Sequence, residues 1–138
     1  MKKDFHIHKA AGILIRDRKL LVEKSYGKEF FIAPGGSIEA GETPEHALTR
    51  ELKEEFGILV NEIDLEEFGS FKDKAAGQEE KIVFMETFIV KKWQGEPSPN
   101  SEVEKILWIT SNVPKDIKVG SIFEHQVIPR MKELNLID

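Results

Sequence analysis

Pro34-Gly35-Gly36 ends a short apolar run, Phe30-Phe31-Ile32-Ala33, and stands seven residues ahead of the strongest helix signal in the chain. Proline and paired glycines break regular structure, and glycine lets a backbone pass close to a neighbour or a ligand. Thr43 can N-cap the helix, Pro44 suits its first turn, Glu45 complements its dipole and Gly57 can end it. At about 100° per residue, Leu48, Leu52 and Phe56 form one apolar stripe. Glu51, Glu54 and Glu55 share the adjacent face with Ala47, while His46 and Lys53 point elsewhere. Such a helix must lay its stripe on a sheet and present three carboxylates beside the glycine segment. No other part of the sequence limits the fold as much.

The flanking segments supply that sheet. Phe5 to Ile15, Lys19 to Lys24, Phe30 to Ala33, Ile63 to Phe71, Lys81 to Val90 and Ile106 to Ile109 carry strand patterns. Asp17-Arg18 and the segment Asp73 to Gln78 are turns, and Gly95 to Ser101, with two prolines, is a loop. A last helix is expected from about Ser121 to Leu134, with Phe123, Val127, Met131 and Leu134 as its apolar face. Pro129 inside that pattern should kink the helix or mark its start. Strands mixed with two amphipathic helices imply an α/β fold in which helices cover a sheet.

At 138 residues the chain fits one compact domain, 1–138, and shows no repeat or linker that would divide it. It has no cysteine, which removes disulfides, thiolate metal sites and thiol nucleophiles from consideration. The net charge of −5 argues against a duplex nucleic acid as partner. No apolar run approaches the roughly 18 residues of a membrane span. The basic start Met1-Lys2-Lys3 is followed by Asp4, His6, His8 and Lys9, so no signal peptide is read and a cytoplasmic location is expected.

Between Glu39 and Glu67 the sequence holds ten acids and only two bases, Arg50 and Lys53. A solvated acidic helix face would account for this composition. So would a cation site, because neighbouring carboxylates repel unless something neutralises them. Mg²⁺ takes oxygen ligands from a few carboxylates together with substrate phosphates, and offsets of three and four residues bring Glu51, Glu54 and Glu55 together. A backbone carbonyl of Gly35 or Gly36 can add a ligand. Metal-assisted chemistry on a polyphosphate follows from such a set. His6 and His8 share a strand face but lack an evident third ligand. Trp93, Trp108 and most phenylalanines belong to the core.

From Gly36 to Ile58 the chain reads GSIEAGETPEHALTRELKEEFGI. This resembles the Nudix box: G, five residues, E, seven residues, then R-E-U-x-E-E-x-G-U with U aliphatic. Gly36, Glu42, Arg50, Glu51, Leu52, Glu54, Glu55, Gly57 and Ile58 occupy all nine defined positions. Length and element order are similar to those of small MutT-type members. The resemblance implies a Nudix α/β/α sandwich around a mixed sheet. It also implies hydrolysis of a nucleoside diphosphate linked to another group, by attack of water at phosphorus with Mg²⁺, or Mn²⁺ in its place. Glu51, Glu54 and Glu55 match the family's metal-binding glutamates, and Gly35 matches the residue whose carbonyl joins them. Arg50 and Glu42 match a pair that locks loop to helix, so orientation is expected of Arg50. A further acid usually precedes a late tryptophan; before Trp108, spacing favours Glu102, with Glu104 second. Glu51 and Glu102 are the two candidates for general base. Lys24 resembles a basic residue that meets substrate phosphates.

Substrate markers point less sharply. The family's proline of ADP-ribose enzymes and tyrosine of dinucleoside polyphosphate enzymes fall near Asp73-Lys74-Ala75-Ala76, which contains neither. Nucleoside triphosphates are therefore expected, cut to the monophosphate and pyrophosphate. Ala33 stands where MutT-type enzymes carry a large aromatic, and Glu124 stands where the oxidised-guanine enzyme has asparagine. An ionised glutamate accepts hydrogen bonds and donates none, which speaks against oxidised dGTP as a dedicated substrate. The alternatives are a nucleotide-sugar or dinucleoside polyphosphate hydrolase, or a non-catalytic Nudix nucleotide sensor. A small-molecule nucleotide is the expected partner, neither duplex nucleic acid nor membrane is, and the oligomeric state stays open, a homodimer included.

Overall fold

A computed structural model describes residues 4–138; Met1-Lys2-Lys3, on which the N-terminal expectation rested, lie outside the described residues. The strands in chain order are β1 (Ile7–Ile13), β2 (Ile15–Arg16), β3 (Lys19–Ser25), β4 (Phe30–Phe31), β5 (Gly35–Ser37), β6 (Leu65–Ala75), β7 (Gln78–Val90), β8 (Val103–Ile109) and β9 (Lys118–Val119). Helix α1 spans Pro44–Phe56 and α2 spans Ile128–Glu133. A four-stranded mixed sheet has the order β5-β1-β7-β6, a three-stranded one β2-β3-β8, and β4 pairs with β9. β1 and β7 run parallel, while β5 and β6 are antiparallel to their neighbours.

Helices cover both faces of these sheets. Successive side chains along β1 point to opposite faces, so Ala10 packs on one side and Ala11 on the other. On the first side lie Leu48, Leu52 and Phe56 of α1, all fully buried with Leu14, Leu21 and Phe88. On the second lie Phe123, Val127 and Met131 from the C-terminal helix, with Ile13, Val22 and Val83. This is the α/β/α sandwich with a mixed sheet. Each fully buried leucine contributes roughly 1.5–3 kcal/mol to holding the layers together. Among the described residues no helix is long and apolar enough to cross a membrane.

The expected caps of α1 are present. Thr43 Oγ1 accepts from the His46 N–H at 3.1 Å, and Gly57 closes the helix at φ 69°. Asp17 and Arg18 form the β2–β3 turn at φ 52° and 61°. Several expectations need correction. The first strand does not run unbroken to Ile15; it ends at Ile13, and buried Leu14 turns the chain from one sheet into the next. Ile63 lies in a 3₁₀ turn, Glu62–Asp64, and is exposed, so the strand begins at Leu65. The β6–β7 turn is tighter than expected and pivots on Gly77 at φ 77°. Leu134 is exposed and leaves the apolar face of the last helix. Pro129 lies just after a π-turn, Phe123–Val127, in which the Ile128 N–H reaches back to the Phe123 carbonyl. Proline has no N–H for the carbonyl four residues back and its ring crowds that carbonyl. The wider π-turn relieves the crowding, and Pro129 falls in the first turn of α2, as expected of a proline that marks a helix start.

The Pro34-Gly35-Gly36 segment does more than stop a strand. It forms β5, paired to β1 through Ala11↔Gly35 and Ala10↔Gly36. Gly35 has φ 140°, and a Cβ there would lie 2.1 Å from the Ala10 carbonyl oxygen. Neither the backbone angle nor the space admits a side chain. Gly35→Ala is expected to cost about 3 kcal/mol, lowering Tm by roughly 10 °C in thermal unfolding followed by circular dichroism. A Tm within 2 °C or so of wild type would contradict this close packing of β5 on β1.

Candidate active site

Arg50 organises the face of α1 that looks toward β5. Its Nε and Nη2 donate to the two carboxylate oxygens of Glu42 at 2.7 and 2.8 Å, a bidentate fork. Nη1 donates to Glu51 Oε1 at 2.9 Å, and Nη2 also reaches the Ser37 carbonyl at 3.3 Å. Glu42 Oε1 in turn accepts from the Glu39 N–H. The loop between β5 and α1 is thereby tied to the helix. The Arg50 guanidinium holds the Glu42 carboxyl down at about 2, and Glu42 raises Arg50 further above its already high value. Glu54 lies 3.6 Å from Arg50 Nη1 with its side chain mostly in solvent.

Gly36 sets how close β5 comes to this face. A Cβ on Gly36 would lie 2.5 Å from the Glu51 carboxyl carbon. Only a glycine leaves room for that carboxylate against the strand. Behind Glu51 the acids become less well served. Glu55 approaches both Glu51 and Glu23 of β3 closely enough to share a proton with either. As carboxylates, Glu55 Oε2 and Glu23 Oε2 are both buried without a hydrogen-bond donor. Burial pushes both carboxyls above their ordinary range, and for Glu55 the neighbouring Glu23 and Glu51 add to the rise. Glu102 lies near enough to raise Glu23 as well, while the Lys9 ammonium opposes that rise.

These residues fit a divalent cation. A buried carboxylate oxygen that no donor among the described residues serves, on a helix face shared with two more carboxylates and facing a glycine strand, suits a hard cation. Among the described residues no three His, Asp or Glu side chains already converge as a closed ligand set. Glu51 is held by Arg50 and Glu54 faces solvent.

The remaining candidates fall in different places. Lys24 points away from Glu55 and pairs with Glu104 and the Lys28 carbonyl. Of the two late acids, Glu102 therefore neighbours the buried carboxylates and Glu104 is taken by Lys24. Glu124 is half-exposed on the C-terminal helix beside His125. His8 stacks on Phe84 and bonds to Glu86 at 2.6 Å, while His6 Nδ1 accepts from the Ile82 N–H. Both histidines are thus occupied structurally. Trp108 carries the Arg16 guanidinium 4.4 Å above its ring and packs, like Trp93, against the core.

A cavity of about 440 Å³ opens on the other side of β1 and β5, a usual size for a small-ligand site. Gly35 and Gly36 form one edge, Lys9 and Lys28 supply charge, and Ala33, Ile122 and Phe123 supply apolar wall. Lys74, Ala75 and Ala76 border it too, so the segment expected to mark substrate class does face the cavity. Glu124 is not among the lining residues. Two positions escaped the sequence-based expectations, Glu23 and Lys9. A signal existed for both. Period-two alternation puts Glu23 on the same face as buried Leu21, an acid in a core position, and puts Lys9 in line with Ile7 and Ala11.

Residues 6–130 match the family model described as NUDIX domain. The chain is 38% identical over 96 residues to an 8-oxo-dGTP diphosphatase of Haemophilus influenzae, covering 66% of this chain and 67% of that protein. It is 41% identical over 64 residues to an ADP-ribose pyrophosphatase of Methanocaldococcus jannaschii, covering 42% of this chain but only 38% of that longer protein. A crystal structure of a MutT NUDIX hydrolase from Burkholderia pseudomallei superposes with a TM-score of 0.71 at 18% identity, covering 92% of this chain and 95% of that one, a likeness of fold. With the family model spanning nearly all the described residues and the glycine strand, Arg50 fork and carboxylate face in place, the chain belongs to the Nudix family as a MutT-type hydrolase.

Proposed function

We propose that the protein is a Mg²⁺-dependent pyrophosphohydrolase, active also with Mn²⁺, that converts nucleoside triphosphates to monophosphate and pyrophosphate. The observation that carries this reading is the buried, donorless Oε2 of Glu55, on the helix face whose Glu51 packs against the glycine strand that also edges the 440 Å³ cavity. Glu51, Glu54, Glu55 and Glu102, with the Gly35 carbonyl, would hold the cation. Bound there, it would supply Lewis-acid charge to neutralise phosphate oxygens and polarise a phosphoryl group. Arg50 orients Glu51 rather than moving a proton itself. Glu51 and Glu102 are the acids that can take the proton of the attacking water. Lys9 and Lys28 sit where the phosphate tail enters the cavity, with Lys24 adjoining them in its pair with Glu104.

Base selection falls to the cavity wall. Ala33 leaves open the space an aromatic would fill, and Glu124 stands outside the lining. A mainly apolar pocket discriminates by only ~10²-fold, whereas one built on hydrogen bonds reaches ~10⁴-fold. Relatives named as 8-oxo-dGTP diphosphatase and as ADP-ribose pyrophosphatase both align with this chain, so the two substrate classes belong in one screen.

Several nucleoside triphosphates should be hydrolysed at rates within ~10²-fold of one another, releasing pyrophosphate. A preference above ~10⁴-fold for oxidised dGTP over dGTP would overturn the open-pocket argument, and turnover of ADP-ribose alone would move the protein to that class. Glu54→Gln should lower kcat by at least ~10²-fold with Tm unchanged, since its side chain is largely exposed. An unaltered kcat would remove Glu54 from the metal set.

A pH dependence also follows. Unfolded glutamates titrate near 4.5, whereas folding raises Glu23 and Glu55. Above 4.5 the metal-free folded state therefore holds more protons than the unfolded state, and its stability falls as pH rises. Chemical denaturation in EDTA should show this decline, and saturating Mg²⁺ should reduce it. A metal-free stability that climbs between about pH 6 and 8 would contradict the burial of these carboxyls.

A further inference from the structure

Glu23 is 2% exposed, and among the described residues it is the one ionisable side chain buried to that degree. An isolated carboxylate in such surroundings costs several kcal/mol unless it is paired or binds a cation. Among the described residues no salt bridge serves it. Its backbone is fixed on both sides. The Glu23 N–H donates to the Ile32 carbonyl at 2.8 Å, the Ile32 N–H returns to the Glu23 carbonyl at 2.7 Å, and Ile106 of β8 lies opposite. Ile32 stands two residues before Pro34-Gly35, so the segment that fixes Glu23 through this bridge is the one that leads into the glycine segment.

The Glu23 side chain leaves this anchored strand on the α1 side, with Leu21, and meets Glu55. Glu51 and Glu102 face it from α1 and from the loop before β8, and Lys9 acts on it from β1. Three acids thus surround a fourth, and two of the four keep a buried oxygen with no donor. A purely structural acid would be expected to end on a backbone N–H or a basic group. This one ends on Glu55, the least satisfied carboxyl of the helix face.

We propose that Glu23 is an additional carboxylate of the metal centre, binding from the sheet side the same divalent cation that Glu55 binds from the helix side. The inference rests on the metal-dependent reading above. It gives the centre two walls: Glu51, Glu54 and Glu55 from α1, Glu23 from β3. The cation then lies between layers that the hydrophobic core holds at a fixed separation.

Mn²⁺ titration followed by electron paramagnetic resonance, with thermal unfolding in EDTA and in saturating Mn²⁺, tests this without substrate. Glu23→Gln keeps the shape and a hydrogen bond to Glu55 but removes the charge. It should weaken Mn²⁺ by at least ~10-fold and shrink the Mn²⁺-dependent gain in Tm, while the Tm in EDTA stays equal or rises. Glu23→Asp, which retains the charge one methylene shorter, should fall between wild type and Glu23→Gln. Wild-type affinity and wild-type Tm gain in Glu23→Gln, with Glu54→Gln weakened, would overturn the role of Glu23 alone. A Glu23→Gln protein that loses Tm in EDTA yet binds Mn²⁺ normally would make Glu23 a structural acid and equally overturn it. Wild-type protein that binds no Mn²⁺ would overturn both this inference and the reading on which it rests.

Discussion

The fork between Arg50 and Glu42 is the interaction on which the site depends. It joins the last residue before the helix cap region to the second turn of α1, and so decides where β5 sits relative to the helix. The same guanidinium reaches Glu51 and the Ser37 carbonyl. One cation thus fixes the loop, the strand end and the first carboxylate of the face. Exposed ion pairs contribute little to stability, but this arginine is mostly covered and bidentate, the geometry in which such pairs hold position well. Lysine at this position would keep the charge and lose the planar fork that aligns three groups at once.

Beyond the reach of Arg50 the electrostatics reverse. Glu42 and Glu51 are neutralised by a neighbour, whereas Glu55 and Glu23 each keep a buried oxygen that nothing among the described residues satisfies. A fold selected for stability alone would place leucine at residue 23, continuing Leu20-Leu21-Val22. Function tolerates such a local conflict when a ligand resolves it. The gradient from satisfied to unsatisfied acids along one helix face gives the site a direction: Arg50 holds the rim, and the unmet charge lies toward the β3 side.

Helix α1 and its caps were legible because a short stretch decides them: Thr43, Pro44 and Gly57 act locally, and the spacing of Leu48, Leu52 and Phe56 leaves one orientation. The fold class followed from the strand patterns around it. Elements whose partners are distant in sequence were harder to see. β5 is glycine-rich and becomes a strand only because β1 offers a ladder at Ala10 and Ala11. β4 and β9 are two residues each and exist through one another. Leu134 has the right helical spacing for the core, but α2 ends at Glu133 and Leu134 is its exposed C-cap residue. Within the site, the box carboxylates were visible as a helical pattern. Glu23 was not singled out: its alternation with Leu21 marks an acid in a core position, but its neighbour Glu55 lies about 30 residues on, and no local pattern joins the two.

The two faces of β1 carry the remaining argument. Even-numbered residues look toward α1 and its carboxylates, and odd-numbered residues look toward the cavity, where Lys9 stands between Ile7 and Ala11. β5 is the seam between these half-sites, and its glycines are what make it thin. Gly36 takes the Glu51 carboxyl on one side, while Gly35 and Gly36 edge the cavity. An extended, strongly anionic substrate suits such a seam. Its phosphates can meet the acid face through a cation, and the lysines directly, while its less polar end lies on aliphatic wall. Side chains on β5 would push these two regions apart by the width of a residue. On the proposed function, glycine at 35 and 36 would serve the chemistry as well as the backbone angle, through the sheet register that places both glycines opposite Ala10 and Ala11.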